Sequence, residues 1–247
     1  MKTALITDLH ANREAVTAVL EHAQSQAVSG FAFLGDFVGY GADPGWVIDT
    51  VRTYVAEGAL AVQGNHDLAV VQGTPAGMRI DARHVIDWTR AQLNAEQLDF
   101  LAGLPLTLHR GEQLFVHANA WAPAQWEYVS GRRDAVRSLR ATSRRYTFCG
   151  HMHEPRLYHL ASSGHAGEFV PTPGVAVPVP PHRQWLVIPG SAGQPRDGNP
   201  AACYALFDDE ASTITFHRVP YDTQTAAGKM RAAELPQRLA MRLSEGE

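Results

Sequence analysis

Five short apolar runs in this chain each end in a side chain that can bind a metal ion or move a proton. Asp8 ends the first run and Asp36 follows the second after a single glycine. The other three runs end in Asn65 and His66, in His117, and in His151 and His153. In an open α/β sheet, sites form beyond the carboxyl ends of the strands. We therefore predict that these strand ends meet at one site.

The N-terminal segments alternate between the strand pattern and the helix pattern. The predicted elements are a strand over Lys2 to Ile6, a helix from the cap Asn12 to about Val28, a strand over Phe31 to Leu34, a helix opened by Asp43-Pro44 and stopped by Gly58, and a strand over Ala59 to Val62. Such alternation implies parallel pairing with right-handed crossovers. An α/β fold class follows.

The rest of the chain is predicted to contain further strands and helices. We predict helices over 79–91 and 95–102, a hairpin over 106–116, a basic helix over 132–145, strands over 146–149, 156–160 and 185–188, and a meander of 201–207 with 213–219. The Gly- and Pro-rich residues 161–184 are interpreted as an irregular excursion or extended hairpin, and residues 222–247 as a polar, partly helical tail. We find no internal repeat and no low-complexity linker, so one domain over 1–247 is predicted.

The length and composition fit one large α/β domain or two small ones. The chain has 247 residues, of which 45% are hydrophobic, and its formal net charge is −4. That small charge favours neither a polyanion-binding protein nor a membrane-surface protein. Cys149 and Cys203 lie in apolar runs and are predicted to be buried free thiols. With no signal-peptide pattern and no apolar stretch long enough to span a bilayer, a cytoplasmic location is expected.

Two pairs of candidate ligands share a spacing of two residues. They are Asp8 with His10, and His151 with His153. In an extended segment residues i and i+2 point the same way, so both members of a pair can face one ion. Adding Asp36, Asn65 and His117 gives seven candidates. With about four ligands per ion and one shared carboxylate, two metals are predicted, an arrangement suited to phosphoryl transfer.

The order of these blocks resembles the calcineurin-like metallophosphoesterase superfamily. The matching blocks are Asp8-x-His10, Gly35-Asp36-x-x-Gly39, Gly64-Asn65-His66-Asp67, Val116-His117 and Gly150-His151-x-His153. Further stretches are similar to its small bacterial branch: Gly39 to Pro44, Trp126 to Val129, Pro189 to Gly198, and Arg218 to Asp222. The sequence departs from the usual pattern at Ala11 and at Ala118-Asn119, small residues next to ligands, which leaves substrate choice open.

The resemblance implies a four-layer α/β/β/α sandwich with two mixed sheets. It also implies ligand roles: Asp8, His10 and His153 for the first metal, Asn65, His117 and His151 for the second, and Asp36 bridging them. A hydroxide between the ions would attack phosphorus in line. His66 would be a phosphate ligand or general acid, and Asp67 would orient it. Mixed nitrogen and oxygen ligation fits manganese, iron or zinc, and also cobalt or nickel.

Several assignments keep alternatives. Asn12 is expected either to contact substrate or only to cap its helix. Arg196 is expected either to bind phosphate or to be an exposed loop arginine. Asp67 could serve only as an Asx-turn residue. The six arginines over 132–145 could bind an anion, but a solvated helix face is favoured because Asp134 and the i,i+4 spacing spread the charge.

The leading functional hypothesis is a phosphoesterase acting on a phosphate monoester or diester. The phosphorylated substrate could be a phosphoprotein, a nucleotide, a cyclic nucleotide or a sugar phosphate. Nucleic acid is disfavoured because no basic groove with interleaved aromatic residues is visible. Two alternatives remain: a non-catalytic interaction or regulatory module of the same fold, and a metal-dependent hydrolase of other bonds.

Overall fold

Two six-stranded sheets form the centre of the molecule. The computed structural model describes residues 1–74 and 80–247, and the side chains of 80–82 are not described. The strands are β1 Lys2–Ile6, β2 Gly30–Phe33, β3 Leu60–Ala61, β4 Thr107–Arg110, β5 Gln113–Val116, β6 Tyr146–Phe148, β7 Arg156–Ala161, β8 Ala166–Phe169, β9 Ala176–Pro178, β10 Arg183–Ile188, β11 Ala202–Asp208 and β12 Thr213–Val219. The helices are α1 Arg13–Ser25, α2 Pro44–Ala56, α3 Asn65–Gln72, α4 Ile80–Ala91, α5 Ala95–Ala102, α6 Arg132–Arg140, α7 Thr223–Ala232 and α8 Gln237–Glu245.

The first sheet has the order β3-β2-β1-β11-β12-β9 and the second β4-β5-β6-β10-β7-β8. β1 pairs with β2 in parallel, and β2 pairs with β3 in parallel, as the sequence alternation predicts. β1 also pairs with β11, in antiparallel orientation, which makes the sheet mixed. In the second sheet β6 lies parallel between β5 and β10.

Three clusters of buried apolar residues lie between the layers of the fold. Between the sheets, buried residues from both pack together, among them Leu5, Leu34, Phe115, Phe148 and Phe207. One outer layer packs α1 and α2 on the first sheet, and the other packs α6 on the second. The predicted four-layer α/β/β/α sandwich is confirmed.

Local sequence explains where the first helices begin. The Asn12 side chain accepts a hydrogen bond from the Ala15 N–H at 3.2 Å and so caps α1. Pro44 stands in the first turn of α2, where its missing N–H costs nothing. The buried face of α1 repeats at helical spacing through Ala15, Val19 and Ala23. Cys149 and Cys203 are buried free thiols, as predicted.

Some boundaries differ from the sequence prediction. α1 ends at Ser25, short of Val28, and α6 ends at Arg140, well short of residue 145. Residue 79, the predicted start of α4, lies outside the described residues. α3 was not predicted, because its first residue is itself a candidate ligand and its first turn carries polar side chains.

Residues 161–184 and the C-terminal residues are more regular than the sequence indicates. β8 completes a hairpin with β7 at the edge of the second sheet, while β9 pairs with β12 at the edge of the first. The segment therefore connects the two sheets. Beyond residue 222, α7 and α8 bury their own apolar cluster, including Met230 and Leu239. Within the described ranges, no helix is both long and apolar enough to cross a membrane.

Candidate metal centre

The predicted ligands follow the carboxyl ends of β1, β2, β3, β5 and β6, and the structure brings them together. Five of them have left-handed backbone conformations: Asp8 (φ 53°), His10 (46°), Asp36 (54°), His151 (69°) and His153 (61°). Such conformations cost about 1–3 kcal/mol each and cluster at functional sites. The fold therefore holds these side chains in position at the expense of local stability.

The first donor cluster consists of Asp8, His10 and His153, all of them buried. Nε2 of His153 lies 3.3 Å from Oδ1 of Asp8 and 3.1 Å from Nε2 of His10. The Asp8 carboxylate also accepts hydrogen bonds from the Thr7 hydroxyl and from the His151 N–H, each at 3.0 Å. These two bonds fix its orientation toward the histidines.

The second cluster consists of Asp36, His117 and His151, with Asn65 beside them. Nε2 of His117 lies 3.4 Å from Oδ2 of Asp36, 3.2 Å from Nδ1 of His151 and 3.2 Å from Oδ1 of Asn65. The same Asp36 oxygen lies 3.8 Å from Nε2 of His10. Asp36 therefore lies close to a histidine of each cluster, and its role as a shared ligand stays a prediction.

Each of the four histidines places its outer nitrogen against a backbone carbonyl. The contacts are His10 Nδ1 with Val38 O (3.1 Å), His117 Nδ1 with Leu34 O (2.7 Å), His153 Nδ1 with Gln194 O (2.7 Å) and His151 Nε2 with Trp126 O (2.9 Å). A carbonyl can only accept, so the outer nitrogen carries the proton and donates. In the neutral imidazole the inner nitrogen then carries a lone pair aimed into the cluster, as in metal-ligating histidines.

Inner lone pairs at these distances fit a cation. Two buried imidazole lone pairs 3.1 Å apart, in His10 and His153, repel each other unless a positive charge lies between them. Burial, with the neighbouring His153, holds the pKa of His10 well below its usual value. Burial alone would also lower the pKa of His117, but the Asp36 carboxylate raises it to about 9. At that nitrogen a proton and a metal ion compete for one lone pair.

Asp67 supports the Asp36 loop in place of the predicted contact with His66. Its oxygens accept hydrogen bonds from the N–H groups of Asp36 (2.9 Å), Phe37 (2.9 Å), Val38 (3.3 Å) and Gly64 (2.9 Å). Within the described structure no hydrogen bond joins it to His66. Burial, with the nearby Asp36 charge, raises the pKa of Asp67 to about 7. The four N–H donors fully occupy the carboxylate, so it acts on the turn that carries Asp36.

His66 stands at the edge of both clusters. Its backbone N–H donates to Oδ1 of Asp36 at 2.9 Å. Its ring packs edge-on against His10 (5.1 Å between centroids) and Tyr40 (4.5 Å). Its Nδ1 is buried and has no hydrogen-bond partner in the part of the chain that the structure describes. A ring nitrogen of His66 lies within 4.8 Å of a donor atom of His10 and of one of Asp36, so these three residues form a third possible metal-binding group. The role of His66 toward a substrate oxygen stays a prediction.

The two remaining candidates, Asn12 and Arg196, differ in their surroundings. The amide of Asn12 donates to the Gly193 carbonyl at 2.8 Å and to the Tyr221 hydroxyl at 3.2 Å, in addition to capping α1. The helix-capping alternative is confirmed, and a substrate contact stays a prediction. The Arg196 guanidinium lies 5.6 Å from the centre of the Tyr40 ring, and the Tyr40 ring in turn packs against His66. It is therefore at the edge of the metal centre.

Sequence reasoning did not assign the aromatic residues around the centre. Tyr40 packs against His10 at 4.5 Å, Trp126 against His117 at 5.9 Å, and Tyr128 stacks on His151 at 4.0 Å. The stretch from Trp126 to Val129 was noted only for its resemblance to the family. The available sequence signal was the pair of aromatic residues Trp126 and Tyr128 on either side of Glu127. Nothing in the local sequence connects that loop to His151.

Comparisons with known proteins agree with this geometry. The sequence model of the calcineurin-like phosphoesterase superfamily domain matches residues 1–212. An uncharacterized protein from Methanocaldococcus jannaschii is 33% identical over 249 residues, which cover 98% of this chain and 97% of the relative. A metallophosphoesterase from Sphaerobacter thermophilus has a TM-score of 0.88 and 35% identity, covering 100% of this chain and 99% of its own.

A hypothetical protein from Pyrococcus horikoshii shares the fold, with a TM-score of 0.80, 19% identity and coverage of 100% and 98%. Members of the matched superfamily are generally hydrolases of phosphoester bonds. The five ligand-bearing blocks lie inside the matched residues, and their side chains converge in the folded chain. This protein therefore belongs to the calcineurin-like phosphoesterase superfamily.

Proposed function

We propose that the protein is a dinuclear metal-dependent phosphoesterase that hydrolyses phosphate monoesters or diesters. The observation that carries the proposal is the convergence of buried donor groups around Asp36, whose Oδ2 lies 3.8 Å from Nε2 of His10 in the first cluster and 3.4 Å from Nε2 of His117 in the second. Four imidazoles turn their inner nitrogens toward these clusters while their other nitrogens are held by backbone carbonyls. This donor set of nitrogen and carboxylate oxygen suits manganese, iron or zinc.

The residues divide into two ligand sets. Asp8, His10 and His153 would hold one ion, Asn65, His117 and His151 the other, and Asp36 both. Two such ions, when bound, activate water for attack on phosphorus and neutralise charge on the phosphoryl oxygens. The chain itself orients the ligands through the carbonyl contacts and, through Asp67, fixes the turn of Asp36.

Two side chains are placed to act on the substrate. His66, with a ring nitrogen within 4.8 Å of donor atoms of His10 and Asp36, is proposed to bind a phosphoryl oxygen or to protonate the leaving group. Arg196, on the far side of Tyr40, is proposed to donate its forked N–H groups to phosphate. The substrate is then a phosphorylated small molecule or a phosphoprotein.

The test combines metal content with turnover. Metal-free protein is reloaded with manganese, iron or zinc, and the bound metal is counted by mass spectrometry while a panel of phosphoesters is assayed. We expect two metals per chain and metal-dependent release of phosphate or of a phosphomonoester. Asp36→Asn is expected to lose metal and activity, and His182→Gln, which changes an exposed histidine, is the matched control.

Full turnover by Asp36→Asn, or no turnover by the metal-loaded wild type, would rule out the proposal. Metal binding with no turnover on any phosphoester would instead favour the non-catalytic module. Turnover on other bonds, with no phosphate release and no inhibition by phosphate, would favour a different metal-dependent hydrolase.

A further inference from the structure

An open cleft of about 620 Å³ begins at the metal centre. Its lining includes the candidate ligand Asn65 and its neighbour His66. The aromatic rings of Tyr40, Trp126 and Tyr128 also line it, together with Gln72, Thr74 and several small or aliphatic residues. Among the described residues none of the lining side chains carries an acidic or a permanently basic group. A leaving group that enters this cleft therefore meets aromatic and aliphatic surface and a few neutral polar groups.

Tyr128 is the aromatic residue most available to a ligand in this cleft. One face of its ring stacks on the candidate ligand His151, with 4.0 Å between centroids and 12° between planes. The residue nevertheless remains 49% exposed. An aromatic side chain this exposed next to the metal centre offers a stacking surface that the protein itself leaves uncovered.

The loop that carries Tyr128 is fixed to the metal centre. The carbonyl of Trp126, whose backbone is left-handed (φ 56°), accepts the hydrogen bond from His151. Asn119 closes the loop: its amide donates to the Glu127 carbonyl at 2.7 Å, and its Oδ1 accepts the Ala122 N–H at 2.8 Å. The ring of Tyr128 is therefore already positioned before any substrate arrives, which lowers the entropy lost on binding.

We propose that this cleft binds the planar base of a nucleotide, stacked against Tyr128, while the phosphate lies at the metal centre. The inference rests on the proposed phosphoesterase function and names its substrate class. The cleft volume falls in the range of sites that enclose a small organic ligand. Stacking on aromatic side chains is how proteins commonly hold bases. The neutral amide of Gln72 and hydroxyl of Thr74 are hydrogen-bonding groups suited to the edge of a heterocycle.

The test compares two substrates that differ only in the base. A nucleoside 5′-monophosphate and ribose 5-phosphate contain the same primary phosphoester, so the ratio of their kcat/KM values isolates the contribution of the base. With metal-loaded wild type we expect the nucleotide to be favoured by about 10-fold or more, the range that base stacking supplies. Tyr128→Leu is expected to bring the ratio near one, whereas Tyr128→Phe, which keeps the ring, retains it.

The ratio is taken within each variant, so a change in metal content or in the intrinsic rate cancels. A wild-type ratio near one, or a ratio that Tyr128→Leu leaves unchanged, would overturn the base-binding assignment while phosphoester hydrolysis still stood. Absence of hydrolysis of both substrates and of a generic aryl phosphate, in protein carrying two metals, would overturn the phosphoesterase function and this inference together.

Discussion

Gly64 lies so close to Asp36 that no side chain fits between them. A Cβ placed at Gly64 would stand 2.2 Å from both the backbone nitrogen and Oδ1 of Asp36. Because Asp36 is proposed to touch both ions, any substitution here must displace the shared ligand. The backbone of one residue thus sets the position of a carboxylate that is distant in sequence.

We expect Gly64→Ala to lose metal and to reduce kcat/KM by about 100-fold or more, since displacements near 1 Å can have effects of that size. Metal counting and the phosphoester assay measure both effects. Gly228→Ala in α7 is the matched control, because no atom lies within 4 Å of its added Cβ. Normal metal content in Gly64→Ala would contradict the tight contact.

His217 on β12 favours its neutral form in the folded protein. Its ring stacks on Tyr204 (5.1 Å) and lies 5.0 Å from His22, and its Nε2 has no hydrogen-bond partner among the described residues. Burial, with the charges of His22 and Lys2, lowers the pKa of His217 to about 4. The unfolded chain takes up this proton near pH 6.5. Stability is therefore lost as the pH falls from about 6.5 toward 4.

We expect His217→Phe to gain about 1–2 kcal/mol in free energy of unfolding relative to wild type between pH 6.5 and pH 4. This gain is smaller than the whole shift of the His217 pKa implies, because the ring is only partly buried and solvent screens its charge. Urea denaturation at several pH values measures the difference. His182→Phe at an exposed position is the control, and parallel pH profiles for wild type and His217→Phe would refute the prediction.

At the scale of elements, α7 is held to the N-terminal half of the chain by Lys229. Its Nζ lies 2.5 Å from Oε1 of Glu14 in α1 and 2.8 Å from Oδ2 of Asp43, which precedes α2. Apolar residues of α7 and α8 pack nearby, with Tyr40 against them. The two C-terminal helices therefore pack against the N-terminal elements that carry Glu14, Tyr40 and Asp43.

We expect Lys229→Met to lower the free energy of unfolding by about 1 kcal/mol, because two carboxylates lose their shared cation while the partly exposed site limits the effect. Chemical denaturation at neutral pH measures it. Arg231→Met, an exposed neighbour on the same helix, should change stability little. Equal losses for the two variants would show that the Lys229 ion pairs contribute nothing specific.

At the scale of the whole molecule, the candidate metal ligands come from both sheets. Asp8 and Asp36 follow strands of the first sheet, whereas His117 and His151 follow strands of the second. Ions bound between them would couple the sheets, and a ligand that binds only the folded state stabilises it by mass action. The site is thus expected to contribute to stability as well as to chemistry.

Removing metal with a chelator is expected to lower the melting temperature, and adding manganese or zinc to restore it. At a free metal concentration about 1,000 times Kd, the gain corresponds to about 4 kcal/mol per site. Differential scanning calorimetry measures the shift. Asp36→Asn should respond much less, and an identical melting temperature with and without metal would contradict the coupling of the sheets.

Much of this protein could be predicted from local sequence pattern. The strand ends and their ligands are readable because strand and helix periodicity, and the residue that follows each run, are properties of neighbouring residues. The parallel order of β1, β2 and β3 also follows, because alternating strands and helices allow few topologies. Predictions were weaker for 161–184, where β9 crosses to the first sheet, since its partner β12 lies far along the chain.

Only the tertiary structure decided how the ligands are supported. Asp67 was expected to orient His66, yet it accepts backbone N–H groups from the Asp36 turn. Tyr128 stacks on His151, a residue from another loop, and hydrogen bonds from His151 and Asn119 hold its own loop in place. By itself the sequence determined which side chains could bind metal, because that is set by their chemistry. Their common orientation and the cleft beside them depend on contacts between segments that no local pattern encodes.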